Sequence, residues 1–303
     1  MLKDTYTIQE FTLDVGDGHV LYVQDWGNKD ALLPTIFLHG GPGSQVKDKH
    51  KLVFDPKTQR VIFFDQRGCG QSTPTGSLEN NNTGALVGDI SKIADKLGLS
   101  KFNLHGTSWG SALASAYSIE SPERVANLVI GGVFTGSKAE ADWIDQGHFK
   151  TFYPDVWDTY VQRTPEQYRT NPSEYHFDKI ISGTPEEQKL SGYAYDCLES
   201  GVIQLDDRFV ADDFETYDPA GIKIEMHYLS NGCFMPDRYI LENTDKLTMP
   251  VYIVQGRYDM VCPPTTAYEL HNKLANSKIY WTLSGHHVEH EGQNIFKTII
   301  AGL

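Results

Sequence analysis

The sequence predicts an α/β fold: a mostly parallel sheet with helices on both faces, interrupted between two late strands by a helical insertion. Three observations carry this expectation. Short apolar runs such as "TIFLHG" and "RVIFFDQRG" end in glycine and polar residues, as buried parallel strands do when their carboxyl ends carry function. The stretch "KFNLHGTSWGS" runs a strand into Gly-x-Ser-x-Gly and on into the helix-like "ALASAYSIE", giving strand, sharp turn and helix. The alternation then stops after Phe134, gives way to an acidic block, and resumes at "MPVYIVQG".

Taken in order, "YTIQEFTLDV" and "HVLYVQDWG" alternate as strands, and the "GDG" between them reads as the turn of an opening hairpin. The two apolar runs follow as buried strands. Leu86, Ile90, Ile93 and Leu97 recur on one face of a helix from about Ala85, capped by Asn82 or Thr83 and closed by Gly98. After the strand and helix around Ser108, "RVANLVIGGVF" is another buried strand. Past the block come a strand at "MPVYIVQG", a helix at "TTAYELHNKLAN", a strand at "KIYWTLSG" and a last helix near "NIFKTIIAGL". Residues 1–134 and 246–303 are therefore expected to form the core. Residues 135–245, broken by proline and glycine into short helical pieces, are expected to form a cap over the carboxyl edge of the sheet.

At 303 residues, with 40% hydrophobic and 12% aromatic residues, the chain can bury a large core and has none of the composition of a disordered, collagenous or coiled-coil protein. Its net charge of −14 argues against nucleic acid or anionic membrane as a partner. Between Thr135 and Asp245 there are 22 acidic residues against 9 basic ones, so nearly the whole imbalance sits in the insertion. The opening residues lack a signal-like apolar run and no later run is long enough to span a bilayer, which predicts a cytoplasmic protein. Cys69, Cys197, Cys233 and Cys262 have neither C-x-x-C spacing nor the density of a disulfide framework, and reduced thiols are expected. The sequon at Asn81–Thr83 reads as a loop and helix cap.

A serine hydroxyl is a poor nucleophile near neutral pH, so Ser108 needs a base, an orienter for that base and donors for an oxyanion. In this topology the acid and then the histidine follow the serine, each at the carboxyl end of a late strand. "YIVQGRYDMV" offers Asp259 and "WTLSGHHVEHE" offers His286 at those places. His287 and His290 compete with His286, which stands directly after the strand-ending "SG". His286, Glu289 and His290 also spell H-x-x-E-H, but that metal motif needs a helix and here follows a strand, so no metal or other cofactor is expected. For the oxyanion, the backbone amide of Trp109 and that of Gly41 in the loop "HGGPGSQ" are the candidates.

The strings "HGGPG", "FFDQRGCGQSTP", "GTSWGSALASAY", "EADWIDQGHFKTFYPDVWDTY", "IEMHYLSNGCF", "QGRYDMVCPP" and "SGHH" resemble the proline iminopeptidases, serine peptidases of the α/β-hydrolase fold, from about His39 to the end of the chain. The resemblance implies that Ser108, Asp259 and His286 are the triad, that no metal takes part, and that the substrate is a small peptide or amino-acid amide with a free amino terminus. It also implies that Glu199 and Glu225, in "YDCLE" and "IEMHYLSN", bind that terminus. Carboxylates in a partly desolvated pocket would favour an ammonium and leave an acylated terminus unpaired. Phe134 and the side chain of Trp109 are the expected walls for a pyrrolidine ring. The chain departs from the family at Thr107, where a glycine is usual, at Tyr195 and Leu198, where tryptophans are usual, and at Asp145, where a tyrosine is usual. These changes leave the triad intact and reshape the pocket. The expected activity is release of an N-terminal proline. The alternatives are hydrolysis of another small amide, ester or lactone, and a non-catalytic binding role on a hydrolase scaffold.

Overall fold

A computed structural model describes residues 7–205 and 213–303. Tyr6, where the first strand is expected to begin, and residues 206–212 of the acidic block lie outside them. Eight strands among the described residues form one sheet in the order β1-β2-β4-β3-β5-β6-β7-β8. The hairpin is β1 (Thr7–Gly16) and β2 (His19–Gly27), with β2 antiparallel to both β1 and β4 (Arg60–Phe64). From β4 onward every neighbour is parallel, through β3 (Thr35–Leu38), β5 (Phe102–Ser108), β6 (Val125–Val133), β7 (Val251–Gly256) and β8 (Ser277–Thr282).

The apolar runs are continuous because both faces of the strands are covered. Ile36, Leu38, Leu104 and Ile130 face a core shared with helices α1 (Thr83–Lys96), α2 (Trp109–Glu120) and α9 (Pro264–Lys273). Phe37, Phe63, Val129 and Val254 face the other way, against Phe296, Ile299 and Ile300 of α10 (Glu289–Ala301). Asn82 is the cap of α1, its side chain accepting from the Ala85 amide at 3.0 Å, while the Thr83 hydroxyl donates to the Cys233 carbonyl. The last helix begins at Glu289, five residues before the apolar pattern announces it, because its first turn is polar.

Between β6 and β7 the chain forms α3 (Lys138–Asp145), α4 (Pro154–Gln162), α5 (Pro172–Ser182), α6 (Pro185–Val202), α7 (Ala220–Ser230) and the short α8 (Tyr239–Glu242). Phe149, Tyr160, Ile180, Tyr195, Leu198 and Met226 give this insertion an apolar core of its own. Proline at the first turns of α4, α5 and α6 explains the short pieces, since it starts a helix readily and cannot continue one. No helix among the described residues is long and apolar enough to cross a membrane.

The "FFDQRG" motif that ends β4 holds the sheet edge together. Asp65 accepts from the Val46 and Gln71 amides, each at 2.8 Å, and so braces the loop after β3. The Gln66 side chain donates to the His39 carbonyl and accepts from the Trp109 indole, both at 2.9 Å. Arg67, fully buried, makes a bidentate pair with Asp89 of α1 at 2.7 and 2.8 Å.

Candidate active site

Ser108 ends β5 at φ 57°, ψ −131°, in a region that side-chain-bearing residues seldom occupy, and α2 starts at the next residue. The two glycines of Gly-x-Ser-x-Gly make this turn possible by crowding. A Cβ at Gly106 would lie 2.1 Å from the Gly110 carbonyl oxygen, and one at Gly110 would lie 2.1 Å from that of Leu38. The Ser111 hydroxyl ties the turn to the end of β6, donating to the Ser108 carbonyl at 2.6 Å and accepting from the Phe134 amide at 2.9 Å. The loop after β3 passes close by, since a Cβ at Gly40 would sit 3.2 Å from that of Ser108.

Asp259 follows β7 and is almost completely buried. Its Oδ1 accepts from the Val261 and Cys262 amides at 3.0 and 2.7 Å, and its Oδ2 accepts from the Gln255 side chain at 3.0 Å. His286 places Nδ1 2.9 Å from Asp259 Oδ2 and 3.1 Å from Oδ1, while no described residue engages its Nε2. Burial disfavours the imidazolium, but the charge and hydrogen bond of Asp259 outweigh it and hold the His286 pKa above its ordinary value. Among the described residues the rival histidines have no such carboxylate partner. Burial, then the Lys49 charge, push His287 down to about 4, and His290 lies in the first turn of α10. The second half of the H-x-x-E-H stretch is thus helical after all. The side chain of Glu289 lies outside what is described, and no group of three His, Cys, Asp or Glu residues that could hold a metal occurs among the described residues.

Ser108 and His286 line one cavity of about 830 Å³, bounded by the loop after β3, the ends of the sheet and helices α3, α6 and α7. Gly41 and Phe134 line it as well. Trp109 corrects one expectation. Its amide begins α2 beside the cavity, but its side chain is no wall: the indole is fully buried, bonded to Gln66 and set edge-on to Tyr228. Cys262 sits beside Ser108, and burial raises its thiol pKa well above normal, so it faces the site as a neutral group.

Glu199 on α6 and Glu225 on α7 meet in the same cavity and hydrogen-bond to each other. Such a bond requires a shared proton, and both pKa values are raised, Glu199 to about 7 by burial and Glu225 well above normal by burial and then by the Glu199 charge. Asp145, at the end of α3, is pushed up to about 7, chiefly by burial and then by Glu199, and its Oδ1 is buried without a hydrogen bond. Of the other departures, Tyr195 and Leu198 are packed into the core of the insertion.

The raised pKa of Asp145 has a consequence for stability. The native state keeps this proton up to about pH 7, whereas the unfolded chain loses it near pH 4. The group therefore supports folding below its unfolded pKa, and that support is lost as pH rises through 7. Asp145→Asn removes the charge at every pH, so thermal melts should place the variant about 2–6 °C above wild type at pH 8, with the gap closing as pH falls towards 4.

Gln255, buried at the end of β7, was not singled out from the sequence. It accepts from the Val133 amide at 2.8 Å while donating to Asp259 and to the Cys262 carbonyl. A polar residue closing an apolar strand was the available signal. Gly132 is a second such residue: at φ +50° it lies under the imidazole, and a Cβ there would stand 3.0 Å from His286 Cε1 and 3.2 Å from Nδ1. Gly132→Ala should displace the ring and lower kcat about 10- to 100-fold with a smaller change in KM, measured by steady-state kinetics.

Comparison with known proteins places residues 34–292 in the family described as the alpha/beta hydrolase fold. A probable proline iminopeptidase of Leptolyngbya boryana is 35% identical over 89% of this chain and 86% of its own. The proline iminopeptidase of Arabidopsis thaliana is 36% identical over 88% of this chain and 72% of its own. The crystal structure of a proline iminopeptidase from Mycobacterium smegmatis covers 97% of both chains with a TM-score of 0.64 at 19% identity, a likeness of fold.

Proposed function

The chain belongs to the proline iminopeptidases, serine aminopeptidases of the α/β-hydrolase fold, and from that premise we propose that it hydrolyses the bond after an N-terminal proline through an acyl-enzyme on Ser108. The observation that carries this reading is the Glu199–Glu225 carboxyl pair, set in the same cavity as Ser108 and His286. Residues 135–245 act as a cap that supplies this pair, and residues 1–134 and 246–303 as the core that supplies the nucleophile. The free amino terminus replaces the shared proton between the two carboxyls with an ammonium, and Phe134 gives the ring an apolar wall.

His286 Nε2 takes the proton of Ser108 as its oxygen attacks the carbonyl, while Asp259 keeps Nδ1 protonated and stabilises the imidazolium. The amides of Trp109 and Gly41 receive the oxyanion. Collapse breaks the C–N bond, and the departing amine takes the proton from His286. Water then repeats the sequence on the acyl-enzyme and frees proline. The four cysteines are unpaired, which fits a reducing compartment, and we assign the protein to the cytoplasm.

Chromogenic proline anilide, its N-acetylated twin, an alanine anilide and a simple ester test the reading together. Free proline anilide is expected to be the best substrate, with the acetylated twin cleaved about 100-fold less efficiently or worse. Turnover of the ester alone would leave a hydrolase and remove Glu199 and Glu225 from amino-terminus recognition.

A further inference from the structure

The cavity is charged with opposite sign in two separate parts of its lining. Glu199 and Glu225 come from α6 and α7, whereas Lys47 and Lys49 come from the loop and the short 3-10 turn after β3. Neither Lys47 nor Lys49 has an ion-pair partner among the described residues. The intervening Asp48 is exposed, its side chain 98% accessible, and it turns to Lys51 at 3.5 Å. Lys49 is partly desolvated, and the one charge that bears on it noticeably is that of Lys47, so no carboxylate offsets it. Both lysines also act on His287, where no carboxylate enters. His286 feels both, Glu199 and Lys49 acting on it with opposite effect. In a chain of net charge −14, two unpaired lysines beside the reacting groups are a local reversal of sign.

We propose that Lys47 and Lys49 form a carboxylate-binding subsite on the leaving-group side of Ser108, so that the preferred substrates are di- and tripeptides with both termini free. The inference rests on the reaction assigned above, which puts the substrate ammonium at Glu199 and Glu225. The departing amine must then lie on the other side of the scissile carbonyl, next to His286, which protonates it. The carboxylate of a dipeptide is two bonds beyond that nitrogen, on the side where the lysines line the cavity. A space of about 830 Å³ accommodates a ligand of two or three residues. Lysine, a flexible point charge, suits a carboxylate whose position shifts with peptide length.

The test compares prolyl-alanine with prolyl-alanine amide, which differ in the terminal charge alone, on wild type and on the double variant Lys47→Met, Lys49→Met. Wild type should prefer the acid about tenfold in kcat/KM, mostly through KM, and added salt should narrow the gap. In the double variant the ratio of acid to amide should fall to near 1 whatever the absolute rate, and a Lys47→Arg, Lys49→Arg variant should retain most of the preference. Equal use of acid and amide by wild type, or a preference that survives in the methionine variant, overturns the subsite. Proline anilide, which has no carboxylate, is run beside them. If wild type cleaves it while the acid and amide rank equally, only the subsite fails. If wild type cleaves neither anilide nor dipeptide, the assigned reaction fails and the subsite with it.

Discussion

Ser108→Ala is expected to lower turnover of proline anilide by about 10³- to 10⁶-fold while the protein folds as before. The expected loss is large because no nearby group can replace the hydroxyl. The Cys262 thiol beside it stays protonated, and Asp259 is consumed by its own hydrogen bonds. Folding should survive because the substitution changes neither the backbone torsion at this position nor the Ser108 carbonyl that accepts from Ser111. A fluorophosphonate probe should label wild type and not the variant, with thermal melts that coincide within a few degrees. Activity near the wild-type level would remove Ser108 from the mechanism.

Asp259→Asn should cost about 10⁴-fold in kcat, with little change in structure. The side-chain oxygen that accepts from the Val261 and Cys262 amides is fixed by two donors, so the new amide nitrogen must occupy the place of Oδ2. There it meets His286 Nδ1 and the donating Gln255 nitrogen. Gln255 cannot flip to receive it without releasing the Val133 amide. The imidazole would have to accept at Nδ1 and carry its proton on Nε2, the tautomer unable to act as base. Loss of the Asp259 charge also removes the main opposition to burial, so the acid limb of the residual activity should move to lower pH. A variant within tenfold of wild type would show that His286 is oriented by something else.

These two residues were legible in the sequence because each stands directly after a strand whose apolar run marks its end. Ser108, Asp259 and His286 are placed by three parallel strands, and period and turn chemistry suffice to find such ends. The start of α10 was less legible, since "EHEGQ" carries no apolar signal. Trp109 misled for a different reason. The motif fixes where its backbone goes, but the direction of its indole depends on Gln66, a residue of another strand end. Gln255, Gly132 and the lysines after β3 were illegible for the same cause: their significance is a contact made across the fold. Asp145 stands out in the sequence as a departure, but its burial, and after that the charge of Glu199 from α6, which together raise its pKa, exist only in the fold.

Two glutamines hold the site. Gln66 couples the loop after β3 to the start of α2, and Gln255 couples the end of β6 to Asp259. Neither amide ionises, and His39, which accepts from the Gln66 amide, is kept neutral by burial. Asp259, and through it the imidazole of His286, is therefore aimed by a group whose charge does not change with pH. Acidification should silence the enzyme as a dimmer does a lamp, without moving the fixture, and neutralisation should restore it as fast as protons leave rather than as fast as a chain refolds.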